Sequence, residues 1–534
     1  MLSIQTSLPS VMHVHPLRRF RSLMKTCSKA TLAAMVLALN VGWGVPVPTP
    51  GPTTDGKAVG DEHAVIGVGD GKNGGSPHTM HPDAQWFPDA GFGLFLHWGI
   101  SSVHEMNISW PMIPGRPLAE IRVSDPVERE RIVREKDYDL TGKAPGITPN
   151  GYWSMAKDFN PRQYDPDKWL KAAKAAGFTY VVLTARHHEG FALWPSAYGD
   201  FNTKNFMGGR DLLAPFVDAC RRNGLKVGLY YSPPDWHFDR DYMDFLYYRV
   251  RKTNPEFKPL DADLNVRATH RGARETAEHQ AAYEAMVKGQ VEELLTRYGK
   301  IDLLWFDGRP PTKNGRQCIT AARIRELQPG IVINPRLHGK GDFVTYEREL
   351  TTNKVATQWA EFCNTWTALW TYSRSAFRSN GFVIGQLAKC RSLGINYLLG
   401  IGPDGQGELH PAAYQNMEAV AGWMRQNGSS IHGTKPLKAT ESASVPATAA
   451  GDLRYLFAIP SFDGKGLLDE NMLPIKDVTL TLGGVGKPVR IRLLGDGGEL
   501  KFDYRDQQLS VFLPAARRTR LVDVVEVRLD PNPK

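Results

Sequence analysis

Between residues 85 and about 430, short apolar runs alternate with stretches in which apolar residues recur every three or four positions. That pattern predicts repeated strand–helix units and an α/β fold built on a parallel sheet. The runs that read as strands are Phe92–His97, Tyr180–Ala185, Lys226–Tyr231, Ile301–Phe306, Ile331–Asn334, Phe343–Tyr346, Val355–Trp359 and Ile395–Ile401. Eight such runs suit a (β/α)8-like barrel, although the fifth to seventh are weak and crowded. The helices between them carry their own punctuation. Asp165-Pro166 supplies an N-cap and a first-turn proline, and Gly177 ends that helix. Further helices are expected over about 211–223, 283–298 and 411–427, the first and last closed by Gly224 and Gly428.

Beyond about residue 432 the period changes. Short alternating runs at Leu453–Ile459, Val478–Leu482, Val489–Leu494, Leu500–Tyr504, Leu509–Leu513 and Val522–Leu529 are separated by Gly and Asp turns. This predicts an all-β sandwich over 432–534, after a barrel domain over 81–431. Two poorly periodic insertions, 104–150 and 237–275, interrupt the barrel region. Loops of that length are usually lids or binding walls.

The N-terminus has a different character. Arg18, Arg19, Arg21, Lys25 and Lys29 precede an apolar stretch, Ala30 to Val41, and no acid occurs before residue 45. About twelve apolar residues are short for a bilayer span, so 1–44 reads as a cleaved export signal and 45–80 as a Pro/Gly-rich linker. An exported product, periplasmic, secreted or in a lysosome-like compartment, is expected. Removing those five cations takes the formal charge from +9 to +4. No dense basic run remains to argue for nucleic acid, and no segment argues for stable membrane insertion. Cys220, Cys318, Cys363 and Cys390 lack the spacing of a zinc site.

Polar residues gather at the predicted strand ends: His97-Trp98-Gly99, His187-His188-Glu189-Gly190, Tyr230-Tyr231, Asp307, Asn334 with Arg336, Glu347 and Glu361. Taken alone, Asp307 in IDLLWFDG (301–308) could be a helix cap, and each histidine could be a hydrogen-bonded core residue. Converging on one face of a barrel, they form a site. Metal chemistry is disfavoured because adjacent His187 and His188 on a strand should point apart. Glycoside hydrolysis by two carboxylates fits better, and a binding module lacking the chemistry is the third possibility.

The barrel region resembles the α-L-fucosidases of glycoside hydrolase family 29. The resemblance is carried by FGLFLHWG (92–99), YVVLTARHHEGFALWPS (180–196), GLKVGLYYSPPDW (224–236), YGKIDLLWFDG (298–308), INPR (333–336), GDFVTYE (341–347) and NYLLGIGPDGQG (396–407), in family order. It implies a barrel followed by a β-sandwich, and a retaining exo-enzyme that needs no metal or organic cofactor and acts on a fucosylated oligosaccharide or glycoconjugate. By the same resemblance Asp307 is the nucleophile, and His97, His187, His188, Tyr231 and Arg336 hold the sugar, while Trp98, Trp194 and Trp305 suit barrel packing as readily as sugar contact. Two positions compete for the acid/base: Glu347, in a DFxT pattern, and Glu361, in a W-E-x-C element interrupted by Ala360. Glu347 is preferred, with Glu349 third. Two departures stand out. The segment Asn107 to Pro114 lacks the family's E-W-Y element, and Glu189 stands where Asp is usual. The alternatives are a catalytically silent fucose-binding relative and a same-fold glycosidase for a galactose-configured sugar. An apolar wall for the fucose methyl would separate the last of these.

Overall fold

A computed structural model describes residues 77–112, 147–241, 261–263, 276–313, 316–374, 376–464 and 471–531. The expected export signal, all but the last four residues of the linker, and most of both insertions lie outside the described residues.

Eight parallel strands form one curled sheet: β1 (Phe92–Leu96), β2 (Tyr180–Arg186), β3 (Lys226–Tyr231), β4 (Leu303–Phe306), β5 (Val332–Ile333), β6 (Val344–Glu347), β7 (Ala360–Thr365) and β8 (Asn396–Ile401). Their order is β5-β4-β3-β2-β1-β8-β7-β6, so β5 and β6 face each other across a seam. Strand period 2 sorts the side chains. Leu94, Val181, Val227, Leu304 and Leu399 face outward, into the layer shared with the helices. Phe95, Tyr180, Val182, Tyr230, Trp305 and Leu398 fill the interior. Small residues make room for the large ones: a Cβ on Gly93 would lie 2.2 Å from the Tyr180 ring.

Among the described residues, six helices of seven residues or more flank the sheet: α1 (Pro166–Ala175), α2 (Leu213–Arg222), α3 (Ala277–Thr296), α4 (Ala321–Leu327), α5 (Asn380–Ser392) and α6 (Pro411–Asn427). The Asp165 cap accepts from the backbone N–H of Asp167 and Lys168, and α1 buries Trp169, Leu170 and Ala173 against the sheet. The β5–β6 and β6–β7 connections carry no helix. No helix among the described residues is long and apolar enough to cross a membrane.

One side chain bridges the seam. Asp342 donates its backbone N–H to Ile333 O at 2.7 Å, and its carboxylate accepts from Ile333 N at 2.8 Å. The other carboxylate oxygen accepts from Arg325 (2.6 Å) and from the backbone of Thr79 (2.7 Å). A carboxylate thus supplies the ladder bonds that the two-residue strand β5 is too short to make.

The C-terminal region is a two-sheet antiparallel sandwich. One sheet has the order β9 (Lys435–Pro436), β11 (Ala447–Ala450), β12 (Leu453–Ala458), β17 (Asp523–Leu529), β14 (Pro488–Leu493). The other runs β10 (Ser442–Ala443), β13 (Val478–Gly483), β16 (Gln508–Leu513), β15 (Phe502–Arg505). It has its own core, yet Tyr455, Phe457, Val522 and Val524 join the barrel's outer layer, where Trp423 of α6 donates to Val522 O.

One expected strand is misplaced. Val355–Trp359 is coil, with Val355 half exposed, and the strand begins at Ala360. The true strand reads AEFCNT, and its inward Glu361 disguises the apolar alternation.

Asp342→Ala should remove the carboxylate's bonds to Ile333 N, Thr79 N and Arg325 while keeping the backbone bond, costing about 2–4 kcal/mol. The apparent Tm should drop by several degrees, whereas Asp342→Asn, which keeps a carbonyl acceptor, should lose less. An Ala variant that unfolds at the wild-type temperature would contradict this account of the seam.

Candidate active site

The strand ends meet at a pocket of ≈ 380 Å³, counting the part open to solvent. Its lining includes His97 after β1, His187 after β2, Tyr230 of β3, Trp305 and Asp307 of β4, Arg336 after β5 and Glu347 of β6. All lie toward the C-terminal ends of parallel strands, where barrel enzymes carry their chemistry.

Asp307 continues β4, its N–H donating to Tyr231 O at 3.0 Å. Two donors reach its carboxylate: the Tyr230 hydroxyl on Oδ2 and Arg336 Nη1 on Oδ1. Nε2 of His188 lies 3.5 Å from Oδ2. Burial, then the charge of Asp307, raises the Tyr230 phenol well above its ordinary range, so it stays a neutral donor. The second nitrogen of the guanidinium, Nη2, donates to Glu347 Oε2. Burial opposes the charge on Arg336, but Asp307 and Glu347 outweigh it and raise its pKa above the usual range. One buried cation therefore joins two carboxyl groups from different strands.

The guanidinium also has a platform. It lies 4.7 Å over the Trp305 ring, which stacks against Tyr230 at 5.6 Å and 14°. Trp305 is held in turn by Glu361, whose Oε1 accepts from its Nε1 at 2.9 Å, while Glu361 Oε2 accepts from the Tyr180 hydroxyl at 2.7 Å. Desolvation pushes the Glu361 carboxyl up to about 7, against the opposing pull of these hydrogen bonds and of Arg336.

The histidines divide by role. Burial, then the charge of His187, holds His97 and His188 well below the ordinary imidazole range, so both are neutral. His188 Nδ1 pairs with Ser232 Oγ, and His187 Nδ1 pairs with Ser109 Oγ at 2.9 Å. Among the described residues, His97 Nδ1 and His188 Nε2 are buried without a hydrogen-bond partner. Buried polar atoms of that kind call for one, and a ligand's hydroxyls can supply it.

Several expected contacts lie elsewhere. Trp98 is a wall residue, packed against Phe159, Tyr164 and Trp169, with its Nε1 on Asp404 O. Tyr231 points out of the barrel to Gln290 of α3, because strand parity turns Tyr230 inward instead. Glu361 is fully buried beneath Trp305 and does not line the pocket. His188 touches Asp307 from outside the lining. Sequence reasoning missed Phe95, Ile108, Trp110, Cys363 and Trp370 as lining residues. Parity counted from Phe95 and Trp305 could have found Tyr230. Trp110 comes from the segment lacking E-W-Y, so that segment still brings an indole to the pocket; it meets His188 edge-on at 5.4 Å.

The expectation that His187 and His188 point apart also fails. Both lie beyond the end of β2 at Arg186, where side chains no longer alternate, and the two rings lie 4.0 Å apart. With Asp307 they place three donor atoms within 4.8 Å of one another. The Arg336 guanidinium on the same carboxylate works against a dication there by direct charge repulsion.

Comparison with known proteins identifies the family. The alpha-L-fucosidase family model matches residues 75–429. Human tissue alpha-L-fucosidase is 27% identical over 457 residues, 81% of this chain and 85% of that protein. The rat tissue enzyme is 28% identical over 386 residues, 68% of this chain and 74% of that one. Among solved structures, alpha-L-fucosidase isoenzyme 1 from Paenibacillus thiaminolyticus superposes with a TM-score of 0.61 at 29% identity, covering 84% of this chain and 99% of that chain. The Thermotoga maritima alpha-fucosidase has the same fold, with a TM-score of 0.61 at 24% identity over 84% of this chain and 97% of its own. The chain is a glycoside hydrolase and belongs to the alpha-L-fucosidase family.

Proposed function

We propose that the protein is a retaining exo-α-L-fucosidase that releases terminal fucose from glycans or glycoconjugates. The observation that carries this reading is the pair Asp307 and Glu347, both at the pocket and both bonded to one guanidinium. Asp307 attacks the anomeric carbon while Glu347 gives its proton to the departing glycosidic oxygen. Water then attacks the fucosyl-enzyme, Glu347 takes its proton, and the bond to Asp307 breaks. The pair carries one negative charge before the first step, on Asp307, and one after it, on Glu347. Arg336 touches both groups and balances whichever is charged.

Neutral His97 and His188 offer ring nitrogens to the sugar hydroxyls. Phe95, Ile108, Trp110 and Trp370 give an apolar wall for a 6-methyl group, which favours fucose over a hydroxymethyl sugar. A small pocket floored by Trp305 and Cys363 suits a terminal residue. Export is the reading that the basic and apolar character of the first 44 residues supports. Glu361 is a positioning residue, holding the indole on which Arg336 rests.

Asp307→Gly should lower aryl α-L-fucoside hydrolysis at least about a thousandfold. Azide should rescue it, forming a β-fucosyl azide, and the wild type's first product should be α-fucose by NMR. Wild-type rates in the variant, or β-fucose as the first product, would refute the assignment.

Glu347→Ala should cost about 10²–10⁴-fold with poor leaving groups and far less with activated ones. Glu361→Gln should slow both classes alike. If leaving-group sensitivity instead appears in the Glu361 variant, the roles are reversed.

Glu361 also makes a pH prediction. Burial pushes the native carboxyl up to about 7, whereas in the unfolded chain it returns to its ordinary value of about 4.5. The native state thus holds a proton that the unfolded chain releases, and stability is lost as pH rises through that window. Glu361→Gln cannot titrate, so its Tm relative to wild type should rise between pH 5 and pH 8. A constant difference would show that Glu361 does not titrate in that window.

A further inference from the structure

A second and larger cavity lies beside the first. It spans ≈ 1080 Å³, open part included, between the segment after β6, helix α5 and Pro446 of the sandwich region. It occupies the outer face of the sheet where the β6–β7 connection carries no helix.

The two cavities share a wall. Glu347 and Cys363 line the catalytic pocket, and their chain neighbours Arg348 and Asn364 line the groove. Arg348 N donates to Cys363 O at 2.8 Å, and Asn364 Nδ2 donates to Arg348 O at 3.3 Å, so the wall is hydrogen-bonded through. The Arg348 guanidinium lies 5.4 Å over the ring of Trp370, itself a pocket residue. Arg348 thus belongs to both sides of that wall, following Glu347 in the chain and packing over a pocket ring.

The groove combines apolar side chains, Leu350, Phe382, Leu393 and Pro446, with cations. Arg348, Arg378 and Lys389 line it against a single acid, Glu349. Arg348 and Lys389 have no acidic partner among the described residues. Asn353, Gln386 and Ser392 add amide and hydroxyl groups. From Phe382 to Ser392 the groove follows α5 for about 15 Å. That is long enough for several sugar rings, whose apolar faces and hydroxyls suit a mixed lining.

We infer that this groove receives the leaving-group portion of the substrate, an oligosaccharide bearing a negative charge. The inference rests on the proposed roles of Asp307 and Glu347. The cations are matched by a carboxylate or a sulfate on a sugar, and the groove's lining begins one residue beyond Glu347.

The test measures kcat/KM for fucosylated oligosaccharides that differ only in the leaving-group portion: neutral, sialylated or sulfated. The charged substrates should be favoured about fivefold at low salt, less in high salt. A preference for only the sialylated or only the sulfated substrate identifies the anion. Lys389 is exposed on α5, and Lys389→Glu should reduce or reverse the ratio of charged to neutral rates. Equal rates on all three substrates, or a preference that Lys389→Glu leaves unchanged, would overturn the inference. Wild-type hydrolysis of an aryl α-L-fucoside is the separate control. If that fails, the catalytic reading itself is wrong, whereas activity there without charge preference removes only the groove.

Discussion

The site depends on a single guanidinium held between two carboxyl groups. Taking Arg336 out of water costs several kcal/mol unless its hydrogen-bonding capacity is met. Asp307 and Glu347 meet it, at the price of fixing the relative positions of β4, β5 and β6. Those are the strands nearest the seam, where β5 has only two residues in the ladder. Asp342 matters to catalysis for that reason, although it lies away from the pocket lining. Its carboxylate closes β5 and so fixes where Arg336, three residues beyond that strand, emerges.

Beneath the guanidinium the barrel interior acts as a stack of supports. Tyr180 reaches across from β2 to Glu361, Glu361 orients Trp305, and Trp305 carries both Arg336 and Tyr230. Each of these groups is polar and buried, and each is paired. A half-satisfied network would cost more than an apolar core. The supports therefore fix side-chain positions as well as fill space, and Gly93 is small because Tyr180 needs its volume.

How much of this was legible in the sequence follows from the kind of signal each residue carried. Asp307, His97, His187 and Glu347 ended recognisable apolar runs, so strand geometry alone placed them at one end of the barrel. Helices with caps, such as Asp165-Pro166, were legible for the same local reason. Tyr231 was chosen over Tyr230 because both are aromatic, and only the parity of the whole sheet separates them. Glu361 looked like a catalytic acid because its motif says nothing about depth. The strand containing it was misplaced because an inward carboxylate breaks the apolar pattern. His187 and His188 lie beyond the end of β2 at Arg186, where side chains no longer alternate, and no one-dimensional period encodes that boundary. Trp110 and Trp370 come from loops, whose approach to the pocket is set by tertiary packing.

The missing helices connect these observations. A complete barrel would cover the outside of β6 and β7 and leave Glu347 serving a closed pocket. Here the connection after Glu347 runs as coil, with Arg348 at φ +60, a left-handed conformation that non-glycine residues seldom adopt. That turn carries the chain away from the pocket at the acid and sets Arg348 against Trp370. The same feature that shortens the barrel's outer layer thus leaves a groove lined by Arg348, Arg378 and Lys389 beside Glu347, the proposed acid. Selectivity for what fucose is attached to would then be written on the outside of the barrel, while selectivity for fucose itself stays within it.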